Sequence, residues 1–285
     1  MELTVQGSPT FCYTGGKPFD AARPTVLFLH GVLNDHSVWI LQTRYLAHHG
    51  FNVLAPDLPG HGRSGGTPPA RVEDGAAFAL ALLDAAGVSQ AALVGHSFGS
   101  LIALEAAAQA PARVRQLALV GTAFPMRVSP ALLDAALNAP LHGIDLVNAY
   151  SHSTLAPPPS TLGPGTWLYG GSRSLMRRVL ASNRAVNLFH VGFKACDDYR
   201  GGEAAMQRVE CPTLFLLGSG DQMTPPRAAQ PLVACARQGR VVTVPGGHQM
   251  MSEAPDAVLA ALKELLAGPG HPHIATATAT AADAP

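Results

Sequence analysis

The sequence predicts an α/β protein whose mostly parallel sheet is covered by helices on both faces. Three observations predict it. Short apolar runs alternate with longer helical stretches along most of the chain. Six of those runs are continuously apolar, as strands buried on both faces are. And 285 residues, 47% hydrophobic and 13% charged, are enough for a large buried core.

In order, Leu3–Val5 and Phe11–Tyr13 read as edge strands joined by a Gly-Ser-Pro turn. Thr25–His30, Phe51–Ala55, Ala91–Val94, Gln116–Val120, Pro212–Leu217 and Val241–Val244 are the six apolar runs. A helix is expected over Ser37–His49, after the polar Asn34-Asp35-His36. Val72–Ala86 is a second, stopped by Gly87. Ser97–Gln109 ends before Pro111, and Pro226–Ala236 and Ala254–Leu266 are the last two.

One region breaks the rhythm. From Phe124 to about Gln207 no strand pattern occurs. Pro130–Asn138, Leu141–Tyr150, Arg173–Ala181 and Arg184–Ala195 read as helices, punctuated by Pro157-Pro158-Pro159 and Gly163-Pro164-Gly165. The expected organisation is a core of residues 1–123 and 208–267, a helical cap or lid of 124–207, and a low-complexity tail of 268–285, expected to be disordered.

Composition narrows the partners. Nineteen basic and nineteen acidic residues give zero net charge, and no basic block suggests nucleic acid. Cys12, Cys196, Cys211 and Cys235 form no C-x-x-C pair, so a zinc or dithiol site is not expected. No run of 18 apolar residues suggests a membrane span, and the N-terminus lacks a signal-peptide pattern. A soluble cytoplasmic protein is expected, with a small-molecule partner, no cofactor and no metal.

The chemistry is concentrated in Gly95-His96-Ser97-Phe98-Gly99. A strand runs into this G-x-S-x-G turn and a helix follows, the pattern of a nucleophile elbow. The two glycines remove side chains that would collide across the turn, and the helix start aims free N–H groups at the site. A serine needs a base to take its proton, and the base needs a carboxylate to orient it. His248 follows the strand Val241–Val244 through Pro245-Gly246-Gly247, alone among the 12 histidines in joining a strand end to a tight glycine turn. Asp221 follows another strand through Gly218-Ser219-Gly220. Both fall at C-terminal strand ends, where open α/β sheets hold their sites. The N–H groups of Phe98 and Val32 are the expected oxyanion donors. His30 reads mainly as a brace for that loop. His30, Phe124, Tyr150, Trp167 and Phe193 are the candidate pocket residues, among cap side chains that also include Leu133, Leu137, Leu146, Tyr169 and Phe189.

The chain resembles α/β-hydrolase-fold proteins over roughly residues 1–267. The matching segments are HGVLND (30–35), PDLPGHGRS (56–64), GHSFGS (95–100), GSGDQMTPP (218–226) and GGHQM (246–250), in the order serine, acid, histidine. The resemblance implies an eight-stranded sheet, a cap inserted after the sixth strand, and a structural role for Asp57 and its glycines. Serine at the elbow departs from the aspartate of haloalkane dehalogenases and epoxide hydrolases. Gly31 stands alone where many lipases carry a run of glycines. The expected activity is carboxylic-ester hydrolysis through an acyl-serine. Carbon–carbon hydrolysis of a β-diketone-like compound, acyl transfer or peracid formation would use the same residues, and a non-catalytic receptor could sit on the same scaffold.

Overall fold

The computed structural model describes residues 1–20, 22–153 and 167–267, so the expectations for the tail and for the proline run at 157–159 lie outside the described residues. Eight strands form one sheet: β1 (Glu2–Val5), β2 (Ser8–Tyr13), β3 (Thr25–Leu29), β4 (Asn52–Pro56), β5 (Ala91–His96), β6 (Val114–Val120), β7 (Thr213–Gly218) and β8 (Gly239–Val244). Their order is β1-β2-β4-β3-β5-β6-β7-β8. The ladders linking β3 to β8 are parallel, whereas β1 pairs antiparallel with β2 and β2 with β4.

Two sequence expectations are corrected here. The first turn is Gln6-Gly7, both with positive φ (49° and 78°), and Ser8 and Pro9 already belong to β2. Two left-handed residues match the right-handed twist of a hairpin, so the turn forms there rather than at Gly-Ser-Pro. β2 is also an interior strand, since β4 takes its other side. The second correction is β8. It is apolar in sequence, but it closes the sheet as an edge, and its residues alternate between exposed and half-buried until Val244.

Eleven α-helices surround the sheet among the described residues: α1 (Ile40–His48), α2 (Val72–Ala85), α3 (Phe98–Gln109), α4 (Pro130–Asn138), α5 (Pro140–Ser151), α6 (Leu168–Ser182), α7 (Leu188–Asp198), α8 (Gly202–Arg208), α9 (Gln230–Cys235), α10 (Met250–Glu253) and α11 (Pro255–Leu266). Alternation along each central strand sorts the core. Leu27 and Leu29 pack with α2, α3, α8 and α9, whereas Val26 and Phe28 pack with Trp39, α1, α10 and α11. Helix α3 is buried nearly all round because α2 and α8 cover the side turned from the sheet.

Between β6 and β7 the chain forms α4–α8. Ser129 caps α4 by accepting from Leu132 N, and Asn187 caps α7 by accepting from Phe189 N and His190 N. Helices α4–α7 bury Ile144, Val179, Leu188 and Phe189 in a cluster of their own, which also takes in Leu33 from the loop after β3. Gly192 is where α7 meets that loop: a Cβ there would lie 3.0 Å from Val32 Cγ1. Helix α8, unread in the sequence, packs against α3 and α9 beside the sheet.

Candidate active site

The site is assembled at the C-terminal ends of β3, β5, β7 and β8. Ser97 joins β5 to α3 with φ 52° and ψ −119°. That backbone conformation is costly for a residue with a Cβ. The elbow is closed on every side. A Cβ at Gly95 would lie 2.0 Å from Gly99 O, and one at Gly99 would lie 2.3 Å from Leu29 O. Ser97 N donates to Val120 O at 2.9 Å, which ties the turn to β6.

Asp221 and His248 face one another across the ends of β7 and β8. His248 Nδ1 is 2.8 Å from Asp221 Oδ2. The carboxylate is filled by its own turn: Oδ1 accepts from Met223 N and Thr224 N at 2.9 and 2.8 Å, and Thr224 Oγ1 donates to Oδ2 at 2.8 Å. Burial alone would raise the Asp221 pKa, but the His248 charge and these hydrogen bonds outweigh it and hold the group below its ordinary value. A proton on Nδ1 shared with this carboxylate leaves Nε2 as the basic nitrogen. His248 and Ser97 line the same cavity.

Two further groups brace the histidine, and one of them, Glu253, was not singled out in the sequence. His96 Nε2 donates to His248 O at 2.9 Å. Burial and the nearby His248 lower the His96 pKa to about 3, so its ring stays neutral. Glu253, buried in α10, accepts from Gly247 N at 2.5 Å and from Ser153 N at 2.8 Å. Gln249 N donates to Ser151 O at 3.1 Å. The histidine turn is thereby tied to the C-terminal end of α5. The signal was a glutamate six residues past a glycine-rich turn, too common a pattern to stand out.

The cavity above Ser97 has a volume of about 410 Å³ and is lined chiefly by Met126, Val128, Leu132, Leu146, Phe193 and Met223. Tyr150 and Phe193, expected in the pocket, line it. Three other expectations are corrected for this cavity. His30 is fully buried behind the site: its Nδ1 donates to Gly31 O at 2.9 Å and its Nε2 accepts from Leu58 N at 3.0 Å. Phe124 turns away and packs edge-on against Tyr199, with Gly202 beneath its ring. Trp167 is 57% exposed and borders a different recess, stacked on Tyr169. Among the remaining cap candidates Leu146 lines the cavity, Phe189 is buried inside the helical cluster and Leu137 is exposed. Val32 borders a narrow space shared with Ser97 and His248, and Phe98 opens α3 beside the serine.

Asp57 belongs to a separate network. Its Oδ1 accepts from His36 N and Nδ1 at 3.0 and 2.7 Å, and its Oδ2 accepts from Arg63 N at 2.9 Å. A Cβ at Gly62, whose φ is 54°, would lie 2.5 Å from Asp57 Oδ2. Asp35, His36 and Asp57 hold possible metal-ligand atoms within 4.8 Å of one another. Asp35 accepts from Ser37 N and Arg178 Nη2, so both carboxylates already accept protein donors that shape these loops.

A mostly parallel, doubly covered sheet with serine, acid and histidine at its strand ends defines a class before any comparison is made. A family described as the alpha/beta hydrolase fold matches residues 24–143. The chain is 28% identical over 258 residues to a pimeloyl-[acyl-carrier protein] methyl ester esterase of Stenotrophomonas maltophilia, covering 86% of this chain and 93% of the relative. It is 37% identical over 119 residues to lipase LipV of Mycobacterium tuberculosis, covering 40% of this chain and 44% of that one. The crystal structure of the enol-lactonase from Burkholderia xenovorans LB400 superposes with a TM-score of 0.79 at 20% identity, over 93% of this chain and 99% of the other. Against the first curated relatives the matched region spans 26%, 44% and 36% of their length. The fold of the described residues is that of the α/β hydrolases, and residues 24–143 match that family.

Proposed function

We propose that this protein hydrolyses carboxylic esters through a covalent acyl-Ser97 intermediate. The observation that carries the reading is the buried 2.8 Å contact between His248 Nδ1 and Asp221 Oδ2, beside a serine held at φ 52° in the same cavity. His248 Nε2 takes the Ser97 proton as Oγ attacks the ester carbonyl. The N–H groups of Val32 and Phe98 hold the oxyanion. His248 then gives its proton to the departing alcohol. Water enters, loses a proton to the same nitrogen and releases the acid. The apolar cavity would hold part of the substrate, and helices α4–α7 would act as its lid. The esterase, lipase and lactonase names of the relatives agree with acyl chemistry.

The test is activity-based labelling followed by kinetics. A fluorophosphonate is expected to modify Ser97, mapped by peptide mass. Ser97→Ala should reduce turnover of a short p-nitrophenyl ester by about 10⁴-fold or more, as loss of a triad serine does elsewhere. Retention of the wild-type rate by Ser97→Ala overturns the reading.

A further inference from the structure

Resting on the ester-hydrolase reading, we propose that the substrate is amphipathic: one arm of the ester is apolar, and the other is uncharged and hydroxylated. The geometry points to this because two unlike spaces meet at Ser97. On one side is the cavity of about 410 Å³ walled chiefly by Met126, Val128, Leu132, Leu146, Phe193 and Met223, with Arg127, Ser129 and Gln222 also lining it. On the other is a recess of about 260 Å³ of mixed lining, in which Asn34, Ser37, His152, Ser172, Gln249 and Ser252 supply polar groups beside Val38, Trp167, Leu168 and Leu175. The two share no lining residue. A neck of about 20 Å³ lies between them. Ser97, His248, Phe193 and Met223 line both the neck and the apolar cavity, whereas Asn34 and Gln249 line both the neck and the recess. The reacting pair therefore stands where the two spaces join.

The charge of the recess argues for a neutral arm. Its cation, Arg178, is paired with the buried Asp35 at 2.9 Å. The other polar groups in its wall are hydroxyls, amides, an imidazole and an indole, all uncharged or able to be so. A second observation concerns the neck. Among the described residues, Asn34 Oδ1 and Ser151 Oγ are buried with no hydrogen-bond partner, and both residues line the neck. A buried oxygen without a donor is unfavourable, so a group that brings hydroxyl hydrogens to this point is favoured over an alkyl chain. A site built around polar groups rejects a substrate that leaves them unpaired.

Three esters matched in size test this: pentyl butyrate, 2,3-dihydroxypropyl butyrate and pentyl 2,3-dihydroxypropanoate. One of the two dihydroxylated esters is expected to exceed pentyl butyrate in kcat/KM by about tenfold, the yield of one or two hydrogen bonds. Which of the two is preferred assigns the recess to the alcohol or to the acyl side. Ser172→Phe, which fills the recess from α6, should bring that ratio down to about one. Leu146→Trp, which narrows the apolar cavity, should slow all three esters and keep the ratio. The proposal is overturned if pentyl butyrate is the best of the three, or if the preference survives Ser172→Phe. Failure of the underlying reading looks different: no ester is cleaved and the fluorophosphonate leaves Ser97 unmodified.

Discussion

Two histidine–aspartate pairs are built into this molecule, and they differ in what the histidine can reach. His248 lies 2.8 Å from Asp221, and His36 lies 2.7 Å from Asp57. Both carboxylates are buried, and burial is overcome in both, by the His248 charge and hydrogen bonds at Asp221 and by hydrogen bonds at Asp57, so the pKa stays low. The His36 ring packs against Phe11 and Tyr13, and Asp57 spends its second oxygen on Arg63 N. The His248 ring lines the cavity that holds Ser97, and Asp221 is satisfied by the turn that carries it. The pair alone therefore says little about chemistry. Under the proposed mechanism, its place at the ends of β7 and β8, opposite the elbow, is what separates a base from a brace.

Substitutions can break this contrast, and the largest effect is expected at Asp221. Asp221→Asn should lower kcat by about 10³–10⁴-fold, as the corresponding change does in other triads, while the circular dichroism spectrum stays the same. An active Asp221→Asn enzyme would erase the distinction between the two pairs.

Acid should act on the imidazoles beside each pair. His96 touches His248 and His61 packs near His30, and burial lowers both pKa values to about 3. In the unfolded chain they protonate near 6.5, so the unfolded state binds more protons at every pH between those values. Their stabilisation is complete above about pH 6.5 and falls as the pH drops, by about 1.4 kcal/mol per pH unit for each ring. The depressed carboxylates Asp35, Asp57 and Asp221 add their loss only below about pH 4. Urea unfolding at pH 7, 6 and 5 reads the slope, and His61→Gln should remove one ring's share of it.

Smaller effects follow at the brace and at the edge of the proposed triad. Asp57→Asn should cost about 1.5–3 kcal/mol of stability through its charge-assisted hydrogen bonds, with kcat of the folded protein changed by less than about threefold. A midpoint in urea paired with kcat separates the two. Thr224→Val removes the hydroxyl that donates to Asp221 Oδ2, and a loss of about tenfold in kcat is expected, equivalent to one hydrogen bond.

Much of this was legible because buried parallel strands leave a simple mark. All eight strands were read near their final positions, and Ser97, Asp221 and His248 each stood just past one. What escaped depends on direction rather than position. Phe124 and Met126 are two residues apart, yet one packs on Tyr199 and the other lines the cavity. Phe189 and Phe193 are one helical turn apart on α7, and only Phe193 reaches the cavity. The rotation of a cap helix about its axis is set by packing against the core, and no local pattern carries it. β8 misled for a related reason: an apolar run does not say whether another strand will follow it in the sheet.

The bent backbone at Ser97 has a consequence for how such a chain changes under selection. A positive φ at a residue with a Cβ costs on the order of 1–2 kcal/mol, and glycine adopts it freely. Ser97→Gly should therefore melt higher than the parent while carrying no nucleophile. Any search for thermostable variants that screens folding alone will drift toward that inert chain. Under the proposed mechanism, the fold is at its most durable without its reagent, and only a demand for turnover keeps a serine in the turn.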